Sequence, residues 1–197
     1  NYNLSAASLN RYNVLRYIMT GRRLSDDERQ DRELKGILRE ALDYLFRIYQ
    51  EKRRHLGPMA VLHPLRATAL LTRALDRVDI LDILSTLFHD ILEDVQPQKF
   101  HPPQWRELES QLHGLLERLA PEQENRLIQR MVCLTRTSSE SYYQYIGRML
   151  DSARGCSRVI HVKLADRLDN TMDMRIDLED PLDNVDFFEA MFQLLFV

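Results

Sequence analysis

A chain of 197 residues with 27 basic and 30 acidic side chains, a formal charge of −3 and a pI near 6.1 is long enough for one substantial core and lacks the basic surplus that nucleic-acid binding by bulk electrostatics needs. No apolar run reaches the roughly 18 residues of a membrane span, and no signal-peptide core opens the chain, so neither a membrane nor a nucleic acid is an expected partner. Cys133 and Cys156 form no CxxC pair and no disulfide framework, which makes a cytoplasmic location the expectation.

Helical signals follow one another from the N-terminal third onward. Ser25-Asp26-Asp27-Glu28 has the form of a capping box, and Leu34, Ile37, Leu38, Leu42, Leu45 and Ile48 then recur at helical spacing to about Arg54. After the Gly57-Pro58 break, HPLRATALLTRAL predicts a second helix, and Asp79 to Val95 a third, with Ile80, Ile83, Leu84, Leu87, Phe88, Ile91 and Val95 as its core face. Pro97, Pro102 and Pro103 precede a helix around Trp105 to Leu119, and Pro121 suits the first turn of the next, which carries Leu127, Ile128, Met131 and Val132. Ser138, Ser139 or Ser141 is placed to cap the helix holding YYQYIGRML, Gly155 separates it from SRVIHVKLADRLDN, and a last helix is expected after Pro181. The apolar end FFEAMFQLLFV suggests further residues downstream. With no period-2 strand, repeat or linker, the expectation is one all-α domain over residues 1–197.

The third predicted helix ends in FHDILED, residues 88–94. On a continuous helix His89 and Glu93, and Asp90 and Asp94, are i, i+4 pairs on one side. Carboxylates so placed repel one another unless something positive lies between them, and a divalent cation is the most compact answer. A solvated acidic helix end is the alternative. Two other segments add donors: His63 stands immediately before Pro64 at a helix entrance, and Asp166 sits among Val162, Leu164, Ala165 and Leu168, where an unpaired carboxylate is costly. An ion pair with Lys163 or Arg167 is the simpler explanation of Asp166. Together the segments supply two imidazoles and two carboxylates, a mixed set suited to a divalent metal with positions left open.

The order HPLRAT, HDILED, VKLADRLDN resembles the metal-dependent HD phosphohydrolase superfamily, and within it the hydrolase domain of the RelA/SpoT-homologue family, including its small stand-alone alarmone hydrolases. The likeness runs from about Leu34 to Met174. It implies a helical HD-domain fold without a synthetase domain, a bound Mn²⁺, a nucleotide substrate, and removal of the 3′-pyrophosphate from ppGpp or pppGpp. Carried across by position, it makes His63, His89, Asp90 and Asp166 metal ligands, Glu93 and Asp94 the pair that handles the attacking water, and Arg54, Lys163 and Asn170 substrate contacts. Where the family has Arg-Lys-Ser before a glycine, this chain has Arg54-His55-Leu56-Gly57, which weakens the case for guanine selectivity. Arg148, Arg167 and Tyr142, Tyr143 and Tyr145 are further candidates for holding an anionic nucleotide, while His101, His113 and His161 read as structural or solvent-facing. The competing functional reading is a catalytically weak HD domain that binds a nucleotide or partner as a regulator.

Overall fold

The computed structural model describes residues 18–19, 23–49 and 60–176, with side chains to residue 171. Among these residues the chain is helical and has no strand: α1 (Glu28–Tyr49), α2 (Leu62–Ala74), α3 (Ile80–Leu87), the single turn α4 (Ile91–Asp94), a 3-10 turn (Pro97–Lys99), α5 (Pro102–Leu116), α6 (Pro121–Leu134), α7 (Tyr142–Ala153) and α8 (Arg158–Ile176). No helix among them is long and apolar enough to cross a membrane. Arg54 and the expected helix after Pro181 lie outside the described residues.

The short α3 organises the rest. All eight of its residues are buried, the signature of a helix surrounded by others, and it packs against α1, α2, α6 and α8. Leu38, Leu45, Leu65, Ile83, Leu84 and Phe88 are among the residues of one core beneath α1 and α5. Leu71, Leu134, Tyr145, Val159 and Val162 belong to a second core between α6, α7 and α8. Helix α2 contributes to both, through Val61 and Leu65 on one side and Leu71 on the other, and lies closely along α8.

Local rules explain most helix ends. Pro121 opens α6, Ser141 caps α7 by accepting the Gln144 N–H, and the polypeptide turns at Gly155. At α1 the cap is two residues later than the sequence suggests. Asp27 Oδ1 accepts the Gln30 N–H at 2.7 Å, whereas the Ser25 hydroxyl accepts the Asp27 N–H at 3.2 Å and so closes a local turn instead of the helix. On α6, Leu127 and Met131 are buried as expected, while Ile128 and Val132 are exposed.

The expected continuous helix from Asp79 to Val95 is broken at Phe88–Asp90. His89 Nδ1 bonds the Thr86 carbonyl oxygen at 2.7 Å, and Ile91 N–H turns to Phe88 O in a three-residue step. The imidazole thus occupies the carbonyl that a continuing α-helix would offer to the Asp90 N–H. His89 and Glu93 are therefore not neighbours along one helix face, and His89, read as lying off the core stripe, is itself buried.

One buried ion pair ties α3 to α6: Arg130 Nη1 donates to Asp82 Oδ1 at 3.0 Å, and Arg158 of α8 reaches Asp82 Oδ2 at 3.6 Å. Asp82 also closes a reciprocal cap with Asp79 at the start of α3. Asp82→Ala leaves Arg130 buried without its counter-charge and should destabilise the protein by about 3–5 kcal/mol. Urea denaturation of this variant beside Leu92→Ala, at a side chain 48% exposed, checks the contrast: the second change should be close to silent.

Candidate metal centre

Three backbone segments deliver four donor atoms to one point. His63 comes from the first turn of α2, His89 and Asp90 from the break after α3, and Asp166 from the middle of α8. His63 Nε2 lies 3.1 Å from His89 Nε2, 3.2 Å from Asp166 Oδ1 and 3.6 Å from Asp90 Oδ2. His89 Nε2 lies 3.1 Å from Asp90 Oδ2 and 3.6 Å from Asp166 Oδ1. Metal–nitrogen and metal–oxygen bonds of about 2.0–2.2 Å place neighbouring donors on one ion about 3.0–3.5 Å apart. The cluster of His63, His89 and Asp90 has the spacing to hold a metal ion; Asp166 Oδ1 stands beside the two imidazoles, at 3.2 and 3.6 Å, but outside that mutually close set.

Neighbouring groups orient the imidazoles for that task. His89 Nδ1 can only donate to the Thr86 carbonyl at 2.7 Å, and His63 Nδ1 faces the Asp169 carboxylate at 2.7 Å. Protons held at Nδ1 leave both Nε2 lone pairs directed at the shared point. Asp169 is completely buried and is itself clamped by Arg66, through Nε to Oδ1 at 2.7 Å and Nη2 to Oδ2 at 3.0 Å. The Asp166 carboxylate is held by Lys163 Nζ at 2.7 Å and by Asn170 Nδ2 at 2.6 Å.

The electrostatics show how much positive charge this point attracts. Burial opposes charging His63, yet Asp166, Asp169 and Asp90 together pull its pKa up to about 10. Burial likewise opposes charge on His89, and Asp166 and Asp90 raise it to about 9. Burial resists ionisation of Asp90 and Asp166, but the two histidines hold both carboxyls far below the usual carboxylate range. Two imidazolium protons cannot both occupy a 3.1 Å gap between nitrogens without repulsion. A single divalent ion between His63, His89 and Asp90 would remove that repulsion, and the donor chemistry fits such an ion. The Asp90 side chain, 36% exposed, opens the cluster to solvent, whereas His63, His89 and Asp166 are each at most 5% exposed.

The remaining sequence-selected residues are distributed around this point. Lys163 and Asn170 both bond the Asp166 carboxylate, as described. Glu93 is exposed and accepts the backbone N–H of Arg136 at 2.7 Å, while Asp94 accepts the Tyr49 hydroxyl at 2.9 Å. Arg148 is bound to Glu140 at 2.6 Å and to the Thr135 carbonyl at 2.8 Å, which commits it to the loop before α7. Arg167 stacks over the Tyr142 ring at 4.9 Å; Tyr145 is buried and gives its hydroxyl to Leu134 O, and Tyr143 is 88% exposed. His113 pairs with Glu117 at the surface, as its solvent-facing reading requires. Sequence reasoning missed Asp169, Arg66 and Thr86. The first two carry a signal in their spacing, since Arg66 follows His63 by three residues and Asp169 follows Asp166 by three, which puts each on the ligand's own helix face.

Comparison with protein-family models, with curated proteins and with solved structures gives no match.

Two outcomes test the centre. In metal-free protein, the histidine pKa values stand above the unfolded value of 6.5, so their contribution to stability is complete below about pH 6.5 and is lost as pH rises through about 9–10. The apo protein should melt at a lower temperature at pH 10 than at pH 7. Manganese affinity should change in the opposite sense and rise over that interval as protons cease to compete; calorimetry in buffers of different ionisation enthalpy reads the released protons. Separately, Asp169→Asn lets the amide donate to His63 Nδ1 and moves the ring proton to Nε2. Metal affinity should fall about 10- to 100-fold, as measured by competition with a chelating dye.

Proposed function

We propose that the chain is a metal-dependent phosphohydrolase of the HD type, most like the RelA/SpoT-homologue hydrolases, which removes the 3′-pyrophosphate of ppGpp or pppGpp or acts on a closely related nucleotide phosphate. The observation that carries this reading is the grouping of His63 Nε2, His89 Nε2 and Asp90 Oδ2 within 3.1–3.6 Å of one another, with Asp166 Oδ1 at 3.2 and 3.6 Å from the two imidazoles. His63, His89, Asp90 and Asp166 would hold a divalent ion, Mn²⁺ by the resemblance. When bound, such an ion supplies Lewis acidity toward a phosphoryl oxygen and makes water acidic near neutral pH.

The protein's own groups account for the other needs of the reaction. Asp90 marks the accessible side, where water and a phosphoryl group approach. Lys163, half-buried beside Asp166, adds positive charge against the developing negative charge of phosphoryl transfer. Glu93 is the candidate to accept the proton of the attacking water; its exposure leaves it free to exchange the Arg136 N–H for that water. Asp94, fixed by Tyr49, orients the turn on which Glu93 stands. Arg54 retains the family register upstream, whereas His55 and Leu56 remove the lysine and the hydroxyl of the resembling motif. Base selection should accordingly be looser than in a dedicated alarmone hydrolase.

A regulatory domain that binds nucleotide without turnover draws on one observation, that Glu93 and Asp94 are both already engaged as acceptors. Purified Mn²⁺-loaded protein assayed for pyrophosphate release from ppGpp, pppGpp and adenine analogues separates the readings. Glu93→Gln should retain metal and nucleotide while turnover falls about 10²- to 10⁴-fold; His89→Ala should lose metal and activity together. Nucleotide binding with no release from the unmodified protein would establish the regulatory reading instead.

A further inference from the structure

A cavity lined by two arginines lies away from the candidate metal centre. Helices α6 and α8 and the end of α7 enclose a cavity of about 620 Å³ whose lining includes Arg126, Arg130, Ser152, Cys133, Cys156 and Val159 and no acidic residue. Val159 precedes the metal-centre residue Asp166 by two turns of α8, about 10 Å along the axis.

Three features of this cavity favour an anion. Arg126 and Arg130 are an i, i+4 pair of like charge on one face of α6, an arrangement that costs stability unless a negative group joins them. Arg126 has neither an ion-pair nor a hydrogen-bond partner among the described residues. Arg130 is 8% exposed, and its hydrogen bonds to Asp82 and Ser85 both leave from Nη1. Its Nε and Nη2 donors, the edge that binds a planar or tetrahedral oxyanion in two-point fashion, remain available. The counter-charge is also incomplete: the single Asp82 carboxylate serves both Arg130 and Arg158. Cys133, Cys156 and Val159 give the wall an apolar part beside the polar Gln129 and Ser152, and the volume is that of a small-molecule pocket rather than of a bare ion.

We propose that this cavity is a binding site for a small organic phosphate, its phosphoryl group held between Arg126 and Arg130 and its organic body against Cys133, Cys156 and Val159. The site is independent of the phosphohydrolase reading, because none of these residues belongs to the metal centre.

The test uses the whole chain stripped of metal, so that phosphate bound through a metal ion does not contribute. Phenylphosphonate, a non-hydrolysable phosphate-ester mimic, and inorganic phosphate are titrated by calorimetry. The chain's only two cysteines both line the cavity, so the rate of their alkylation by iodoacetamide, read by mass spectrometry, reports where a ligand sits. The expected result is saturable binding at one site, tighter for phenylphosphonate than for phosphate, with slowed alkylation of both cysteines. Arg126→Glu, at an exposed position, should weaken binding about 10- to 100-fold, and Arg126→Lys should restore part of it. Unchanged binding in Arg126→Glu, binding without thiol protection, equal affinity for the two probes, or no saturable binding would each overturn the proposal.

Discussion

The His63 and His89 Nε2 atoms and Asp90 Oδ2 lie within 3.1–3.6 Å of one another, with Asp166 Oδ1 within 3.6 Å of both imidazoles, and two carboxylates set against buried imidazoles draw positive charge to that point. Much else in the fold is arranged around it. The ring of His63 is held from behind by Asp169, and Asp169 by Arg66. The ring of His89 is held by the Thr86 carbonyl, and the bond that holds it also interrupts the helix. Asp166 is flanked by Lys163 and Asn170. His63, His89 and Asp166 are therefore each held by a polar neighbour as well as by packing, which restrains their rotation away from this point.

The surrounding packing turns these local constraints into a rigid whole. Because α3 is buried on every side, the turn that carries His89 and Asp90 inherits the position of four packed helices. The close lie of α2 along α8 brings His63 and Asp166 together although about 100 residues separate them in the chain. The same contact brings Arg66 to Asp169. A displacement between α2 and α8 would separate His63 from Asp166 and Arg66 from Asp169 at once, which makes this helix pair the mechanical basis of the candidate centre.

The helices were legible because apolar residues at three- and four-residue spacing, prolines at first turns and Ser141 before α7 are local signals. The donor residues were legible as types, since imidazoles and carboxylates within apolar stretches stand out against the cost of burying them. What the sequence could not supply was the break at Phe88–Asp90. A competition between the His89 imidazole and the Asp90 amide for one carbonyl oxygen is decided by tertiary position, and helical periodicity carries no trace of it. The cap of α1 was misplaced for a similar reason: Ser25 and Asp27 are both competent caps, and the choice depends on which local turn closes first. Asp169 was passed over because Arg66, the partner that makes its burial tolerable, lies 103 residues away. The i, i+4 spacing that set Glu93 beside His89 assumed a helix that the Phe88–Asp90 break interrupts, and the hydrogen bonds of Glu93 and Asp94 to Arg136 and Tyr49 reach across the fold to elements that no spacing rule connects.

The central claim is that these four donors share one metal ion, and anomalous diffraction from crystals soaked in manganese tests it most directly. A single anomalous peak within about 2.0–2.3 Å of His63 Nε2, His89 Nε2, Asp90 and Asp166 is the predicted result. Crystals that show no peak at this point after soaking at neutral pH, or a peak bound by Asp90 alone at the surface, would contradict it.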